Sequence, residues 1–316
     1  MKPFLLMLAL LEVVYVPVAN ADPIGVNLGL AGNYAVLDIG GTPSITSDFA
    51  VYQSATIING NVGEGPYSTW THGIDATIIG TLYYDTTDTL PAITGTITGG
   101  TVKQSMSATV QDAINASAAA AALTPTQTFS TLTENQTIVG TGGLNVIDVT
   151  GDVALKIGLT IQGSASDSFV FLFTASDATS AKTLTLSGMN MTLTGGVLPD
   201  NIVWDLNGGG GQVVISSGAD VFGTFLAPYR TVTVDQGIIE GQVIAGGSPN
   251  PGDNQSNSLI IHSSSRLTLP TSTTPPPPPP PPPIPEPASI VLLGTALFGF
   301  GVAAKRRIMQ GESSRV

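Results

Sequence analysis

The chain of 316 residues has no cysteine, two histidines and only ten lysine or arginine residues. The absence of cysteine excludes disulfides, thiolate nucleophiles and iron–sulfur clusters. His72 and His262 alone leave little material for a transition-metal site. The formal net charge of −12 would repel a phosphate backbone, so nucleic-acid binding is not expected. Charged residues make up only 10% and hydrophobic residues 42%, which argues against disorder over most of the chain.

Sequence motifs for catalysis are also missing. There is no Gly-x-Ser-x-Gly elbow, no His-Glu-x-x-His and no Gly-x-x-x-x-Gly-Lys. Two pairs of acidic residues lie close in sequence, Asp85 with Asp88 and Asp148 with Asp152, and we interpret them as solvated acids in turns. Asp253 and Asn254 could ligate calcium through oxygen, but a polar loop explains them equally well. We therefore expect no catalytic, metal or cofactor-binding residue, and a protein that is not an enzyme.

Residues 1–21 have the layout of a secretory signal peptide. Lys2 precedes an apolar run from Phe4 to Val18, and Ala19 and Ala21 supply small residues at positions −3 and −1 of a cleavage site. We predict cleavage after Ala21, so that the mature chain begins at Asp22. A buried N-terminal helix is the alternative interpretation.

The other end of the chain combines a stalk with an apolar segment. Nine consecutive prolines, 275–283, lie in a linker over 271–284, and a polyproline II helix of that length spans about 28 Å. Residues 288–304 form an apolar run of about 25 Å as a helix, just enough to cross a bilayer core. Basic residues follow the run, which predicts a transmembrane helix with a cytoplasmic tail over 308–316.

Residues 285–307 resemble the PEP-CTERM sorting segment. The motif consists of Pro285-Glu286-Pro287, the small-residue apolar run and the basic cluster Lys305-Arg306-Arg307. In that family an exosortase of Gram-negative, exopolysaccharide-producing bacteria recognises the segment. The resemblance implies export, transient retention in the inner membrane and processing near the Pro-Glu-Pro tripeptide.

The sequence of the body of the chain, 22–270, predicts many short strands. Strings of Val, Ile, Leu and Thr are bounded by Gly, Asn or Asp. One pattern recurs in which two apolar residues are followed closely by a glycine and then by further apolar residues. It occurs around Gly60, Gly80, Gly223 and Gly241. Spacings near 20 residues are typical of one coil of a β-solenoid, and a β-sandwich is the alternative architecture.

One segment interrupts the strands. Residues 104–123 contain no glycine or proline, and Met106, Val110, Ile114 and Ala118 recur at helical spacing. We predict a long amphipathic α-helix that lies along the side of a right-handed, mainly β solenoid. A helix that binds a partner protein is the alternative.

The body also resembles a family of bacterial surface proteins. The segment 198–205, beginning Leu-Pro-Asp-Asn and containing Trp204, together with 223–228 and 241–245, is similar to the choice-of-anchor A adhesive domain. Bacterial ice-binding domains, also β-solenoids with a flanking helix, share several of these motifs. We interpret Trp204 itself as a core residue and the glycine-rich tract 207–211 as a flexible turn.

These observations predict a non-enzymatic, exported protein of the cell surface or extracellular matrix. The expected partners are an exosortase and exopolysaccharide or a neighbouring cell surface, with the membrane reached through 288–304. Ice binding is one alternative, since Thr-x-Thr pairs such as Thr192 and Thr194 could form rows on a solenoid face. A polysaccharide-acting enzyme on the same fold is the other.

Overall fold

The computed structural model describes residues 25–173, 182–248 and 256–270. The predicted signal peptide with Ala19 and Ala21, the proline linker, the sorting segment and the residues Asp253 and Asn254 lie outside these ranges. All described elements belong to one compact unit that ends at Ser272. Within this part of the chain, no helix has the length and apolar character needed to cross a membrane.

The described residues form 24 strands, one α-helix and two short 3-10 helices. The helix α1 is Ser107–Ala121, and the 3-10 helices are Gly29–Asn33 and Pro199–Asn201. The strands up to the helix are β1 Tyr34–Asp38, β2 Ser47–Val51, β3 Ile57–Asn59, β4 Asn61–Glu64, β5 Ser68–Trp70, β6 Thr77–Ile79, β7 Leu82–Tyr84, β8 Thr96–Ile97 and β9 Thr101–Lys103. After the helix come β10 Gln127–Phe129, β11 Gln136–Val139, β12 Leu144–Val149, β13 Val153–Leu155, β14 Gly158–Gln162, β15 Ser168–Leu172, β16 Leu184–Ser187 and β17 Asn190–Thr194. The last strands are β18 Ile202–Asp205, β19 Val213–Ser216, β20 Asp220–Ala227, β21 Val232–Asp235, β22 Ile238–Ala245, β23 Ser258–His262 and β24 Arg266–Thr268.

All pairings between these strands are parallel, and they build three faces. The helix face contains β10, β12, β15, β18, the second halves of β20 and β22, and β1, β4, β7 and β9. The open face contains β11, β14, β17, the first halves of β20 and β22, and β24, β3, β6 and β8. The seven-stranded face contains β13, β16, β19, β21, β23, β2 and β5. The chain visits the three faces in turn, which confirms the prediction of stacked parallel strands and excludes an antiparallel sandwich.

The order of the coils in the stack differs from their order in the chain. Strand β1 pairs with β22 on one side and with β4 on the other. Strand β24 likewise lies between β22 and β3. The coils of residues 34–103 therefore stack on those that end at residue 268, and one coil is completed by strands from both ends of the domain.

Aromatic side chains fill the interior where three coils meet. Trp204 is fully buried, and its ring stacks on Phe171 at 4.1 Å and on Phe225 at 5.8 Å between centroids. Its indole N–H donates a hydrogen bond to the carbonyl of Phe222 at 3.0 Å. A large apolar ring with a satisfied polar atom stabilises the interior of the stack, so the prediction that Trp204 is a core residue is confirmed.

The predicted helix is present over Ser107–Ala121. Its buried side is lined by small residues, among them Ala113, Ala116 and Ala120, whereas Ala118 of the predicted stripe is exposed. Small side chains let the helix approach closely, and they pack with apolar residues such as Val170 and Val203 on the helix face. That sheet is consequently buried on both sides, so the helix serves the fold.

Glycines occupy the corner where the open face turns into the helix face. Gly223 and Gly241 lie side by side in β20 and β22, with φ of +107° and +157°. A side chain at Gly223 would meet the carbonyl oxygen of Ile202 at 2.6 Å, and one at Gly241 would overlap the carbonyl of Gly223. Gly80 and Gly60 stack in the same manner further along the corner. The recurring glycine of the sequence pattern thus marks a coil corner, as predicted.

A buried arginine organises the glycine-rich tract. Arg230 is fully buried, and its guanidinium group donates hydrogen bonds to backbone carbonyls only. The acceptors are the carbonyls of Phe173, Lys182, Leu206, Asn207, Gly208 and Gly211. The tract 207–211 is a turn, as predicted. Because its carbonyls converge on one cation, it is held in place from inside rather than left flexible.

Candidate functional site

The open face is a long sheet surface whose outward side chains reach solvent. Inward residues such as Ile161 and Val221 are fully buried, while outward residues on the same strands are exposed or half-buried. Parallel strands stack at about 4.8 Å per coil. Residues in register therefore form straight rows along the stack.

Two outward rows dominate this face. The first row consists of Thr137, Thr160 and Thr192, and from β20 onward of Phe222, Glu240, Thr268, Asn59 and Ile79; between its two parts, β17 and β20 pair only through Asn190 and Asp220. The second row is Asn190, Asp220, Ile238, Arg266, Ile57, Thr77 and Thr96.

The composition of these rows changes along the stack. A ladder of three threonines begins the first row, but Phe222 and Glu240 interrupt it. Asp220 and Arg266 add further charges to the middle coils. The face therefore offers hydroxyl, amide, apolar and charged groups together, and a uniform threonine array is absent from its described part.

The predicted Thr-x-Thr pairs do not share one surface. Thr192 and Thr194 lie on the open face, with Thr192 beside Thr160. Thr185 and Thr233 lie on the seven-stranded face, where Val214 separates them. The threonine pattern in the sequence reflects strand formation on two faces.

The two histidines lie on either side of Tyr52 on the seven-stranded face, although they are far apart in sequence. The Tyr52 ring lies between them, stacked with His262 at 5.1 Å and edge-on to His72 at 4.3 Å between ring centroids. His262 Nδ1 lies 2.6 Å from the Ser263 hydroxyl and 3.7 Å from Asp235. Over the described residues, no three acidic or histidine side chains are arranged to hold a metal ion.

Carboxyl groups are buried near the end of this face. Asp38 and Glu64 are fully buried, and burial raises their pKa values to about 7 and about 8. Hydroxyl groups of Ser47 and Ser68 donate to Asp38 and partly oppose that rise. Nearby negative charges add to these rises: Asp88 and Asp38 raise the pKa of Glu64, and Asp88 raises that of Asp38.

Asp85 and Asp88 lie beside these groups, so their interpretation as solvated turn acids is wrong. Asp85 is 2% exposed, and although burial raises its pKa, hydrogen bonds from the backbone N–H groups of Met106 and Thr87 lower it below the usual value. Burial raises the pKa of Asp88. Lys103 bonds to the backbone carbonyl of Asp88 at 2.9 Å rather than to its carboxylate.

A further buried carboxyl lies under the helix. Burial raises the pKa of Asp205 to about 8, while the hydroxyl of Ser117, donating at 2.6 Å, and the positive charge of Arg230 oppose the rise. Burial also lowers the pKa of Arg230 to about 10. Asp205 therefore ties the helix to the sheet, and neither group is placed to meet a ligand.

Sequence reasoning missed two polar features that only the folded chain shows. Arg230 belongs to no recognisable sequence motif. Trp70, one of two tryptophans, lies in a short segment without the apolar periodicity of a strand or helix. The rarity of tryptophan was the only available signal for Trp70. The predicted sorting and cleavage residues, including Pro285, Glu286 and Pro287, lie outside the described residues.

Comparison with known proteins agrees with the fold. Residues 22–252 match the family described as "Putative Ice-binding-like adhesive domain", and residues 283–307 match the PEP-CTERM protein-sorting motif. That motif is the mark of an exported protein processed by an exosortase. A search of curated proteins found no match.

Solved structures of ice-binding proteins share the architecture. One from the Antarctic ascomycete Antarctomyces psychrotrophicus is 20% identical with a TM-score of 0.54, covering 78% of this chain and all of its own. A glycosylated one from an Arctic yeast is 23% identical with a TM-score of 0.53, covering 80% and 97%. One from an Antarctic bacterium of the Flavobacteriaceae is 16% identical with a TM-score of 0.52, covering 79% and 48%. Identities this low establish the fold alone.

The stacked parallel faces, the single helix that covers one of them and the match over 22–252 agree with one another. The predicted resemblance to an adhesive surface domain related to ice-binding proteins is confirmed. The chain belongs to the ice-binding-like adhesive domain family and carries a PEP-CTERM sorting motif.

Proposed function

We propose that this protein is a non-enzymatic adhesin of the cell surface or extracellular matrix, and that its open face contacts exopolysaccharide or a neighbouring cell. The observation that carries the proposal is the mixed composition of that face. Thr160 and Asn59 offer hydrogen bonds, Phe222 and Ile79 offer apolar contact, and all of them lie on one exposed sheet. Wet contacts of this kind are individually weak, and many copies on one cell would supply avidity.

The domain organisation proposed for this role follows the predicted segments. A signal peptide over 1–21 leads to export, 22–270 forms the adhesive domain, and 271–284 forms a semi-rigid stalk. An exosortase then acts on 285–307, with 288–304 as a transient span of the inner membrane and 308–316 in the cytoplasm. We also propose that the coils wind in the right-handed sense that parallel crossovers prefer.

Co-sedimentation with exopolysaccharide from the host tests the adhesive role. We expect the protein to pellet with that polymer and much less with a neutral glucan. The double substitution Thr160→Glu and Thr192→Glu places two like charges on adjacent coils of the open face. It should reduce pelleting about tenfold, because charge and bulk disrupt the contacting surface.

A matched control uses the same change on the other exposed sheet. Thr185→Glu with Thr233→Glu alters two half-buried threonines of the seven-stranded face and should pellet like the wild type. Equal pelleting by both double variants would refute the open face as the contact surface.

Ice binding is a second candidate because the ladder Thr137, Thr160 and Thr192 is regular over three coils. Inhibition of ice recrystallisation that disappears in the Thr160→Glu, Thr192→Glu variant would establish it. We expect no inhibition, since Phe222 and Glu240 interrupt the ladder.

A further inference from the structure

A cavity of about 390 Å³ opens on the helix face beside the beginning of α1. Its wall is formed by the 3-10 helix Gly29–Asn33, by β1, β4 and β7, and by the residues 104–109 that lead into α1. Among the strands, α1 packs mainly on β15, β18 and β20. The helix face is therefore less covered at β4 and β7, and the cavity there is large enough for a small molecule.

In the described part of the chain, no charged side chain lines this cavity. Amide, hydroxyl, aromatic and small apolar groups form its wall. The half-buried ring of Tyr83 supplies the aromatic part and lies edge-on to Tyr34, with 5.5 Å between the ring centroids. An aromatic ring among a few polar groups is typical of sites whose ligands have both an apolar and a hydrogen-bonding side.

Three polar groups of the wall are free to bind a ligand. Within the described ranges, the hydroxyl of Tyr83 and the Oδ1 of Asn33 have no hydrogen-bond partner in the protein, and neither is one of the buried atoms that lack a partner. Both atoms therefore reach solvent. The third group is the hydroxyl of Ser105, an exposed residue, which makes only a long hydrogen bond of 3.4 Å to Ser107.

The side chain of Asn33 is held in place by its neighbours. Its Nδ2 donates to the carbonyl of Leu30 at 3.1 Å, and its backbone carbonyl accepts from Asn61 Nδ2 at 3.2 Å. Asn61 in turn accepts from the N–H of Thr81 at 3.0 Å. Because these contacts fix the amide, Asn33 Oδ1 is an acceptor that does not have to be ordered when a ligand binds.

The free groups indicate a ligand that both donates and accepts hydrogen bonds. A hydroxyl group can donate to Asn33 Oδ1 and accept from Tyr83 or Ser105, whereas an ammonium group only donates and a carboxylate only accepts. An anion is further disfavoured by the carboxylate of Asp112, which accepts from the N–H of the wall residue Leu30 at 2.8 Å. The ligand that fits is therefore uncharged and rich in hydroxyl groups, with an apolar side for the tyrosine ring.

We propose that this cavity binds one uncharged sugar residue of a polysaccharide. Asn33, Tyr83 and Ser105 supply the hydrogen bonds, and the Tyr83 ring supplies the apolar contact. The inference goes beyond the proposed function, because it concerns the helix face and shares with the open face only the choice of saccharide as target.

Nuclear magnetic resonance of ring-¹³C-labelled tyrosine can observe this site in the full chain, which has seven tyrosines. The protein is titrated with cellohexaose, maltohexaose, mannohexaose and chitohexaose, and with galacturonate and glucosamine hexamers as charged controls. We expect at least one neutral sugar to shift the Tyr83 signal saturably, while the signal of Tyr52 on the seven-stranded face stays in place. The variants Tyr83→Phe and Tyr52→Phe assign the two signals by their loss.

Two variants of the same helix test whether the cavity itself is the binding site. Ala108 is exposed and lines the cavity, whereas Ala119 is exposed near the other end of α1 and does not line it. Ala108→Trp should block the cavity and abolish binding measured by isothermal titration calorimetry, and Ala119→Trp should bind like the wild type. Tyr83→Phe should lower the affinity about fivefold, because one neutral hydrogen bond is lost.

Three results would overturn the sugar site. They are the absence of a Tyr83 shift with every neutral sugar, stronger binding of either charged hexamer, and equal binding by Ala108→Trp and Ala119→Trp. The open-face variant Thr160→Glu, Thr192→Glu should bind the sugar as the wild type does. Its behaviour in co-sedimentation is therefore independent of this site, and the two proposals fail separately.

Discussion

Replacing Gly223 with valine is expected to abolish the folded domain. The residue has φ of +107°, where side chains are disfavoured, and a Cβ there would lie 2.6 Å from the carbonyl oxygen of Ile202 and 2.8 Å from its Cβ. Neither neighbour can withdraw, because both belong to the packed helix face. We expect Gly223→Val and Gly241→Val to lose more than about 4 kcal/mol of stability, measured by thermal melting and circular dichroism.

A matched pair of alanine variants separates the two causes of this loss. Gly142 has a similar φ of +98°, but no atom lies within 4 Å of a Cβ built there. Gly142→Ala should therefore lower the free energy of unfolding by only about 1–2 kcal/mol, the cost of a side chain at positive φ. Gly223→Ala should lower it by clearly more. Equal melting temperatures for the two alanine variants would contradict the crowded corner.

The domain is expected to be more stable at pH 5 than at pH 9. Folding raises the pKa of Asp38 to about 7 and those of Glu64 and Asp205 to about 8. Above pH 4 the folded state therefore holds protons that the unfolded state has lost. The stability from these protons is complete below the unfolded pKa values and disappears as the pH rises through 7–8.

The size of this effect follows from the separation of the pKa values. For Asp38 the folded and unfolded values differ by about three pH units, which corresponds to an upper limit on the order of 4 kcal/mol. For a domain of this length, a fall of about 10 °C in melting temperature between pH 5 and pH 9 is expected. Below pH 4 the trend reverses, because carboxyls such as Asp85 and Asp152 have lowered pKa values.

Glu64→Gln tests whether the buried carboxyls cause this dependence of melting temperature on pH, because the amide imitates the protonated carboxyl. The variant should melt with a weaker dependence on pH between 5 and 9. Asp152→Asn is the control, since Asp152 accepts a hydrogen bond from Thr183 N–H at 2.8 Å that lowers its pKa. Between pH 5 and pH 9 the melting temperature of this variant should change as much as that of the wild type. A melting temperature that rises from pH 5 to pH 9 would refute the role of the buried carboxyls.

Local features of the fold could be predicted from the sequence. The glycine in each apolar string marks a corner because only glycine fits there, and 104–123 reads as a helix because it lacks glycine and proline. The order of the coils could not be predicted. Nothing in the residues of β1 specifies that β22, rather than another strand with the same apolar pattern, lies beside it.

The candidate sites were harder to predict than the fold. Rows on the open face depend on register, and a threonine such as Thr192 gives no sign of which residue will stand beside it. A cavity of about 500 Å³ beside Trp70 is lined by residues of 68–73 and of 87–92, which come together only in the folded chain. Asp85 and Asp88 show the same limit of prediction. The sequence around them is typical of an exposed turn, but strands distant along the chain enclose them.

The position of β1 in the stack sets the time at which the protein can finish folding. Gln242 in β22 donates hydrogen bonds to the carbonyls of Gly32 and Tyr34. Gln242 is synthesised 208 positions after Tyr34. An exported chain delivers its N-terminal strands first, and their second neighbour arrives only when β22 and β24 have emerged. Contacts so distant in sequence slow folding. The first strands delivered must therefore wait, unpaired on one edge, until nearly the whole domain has emerged.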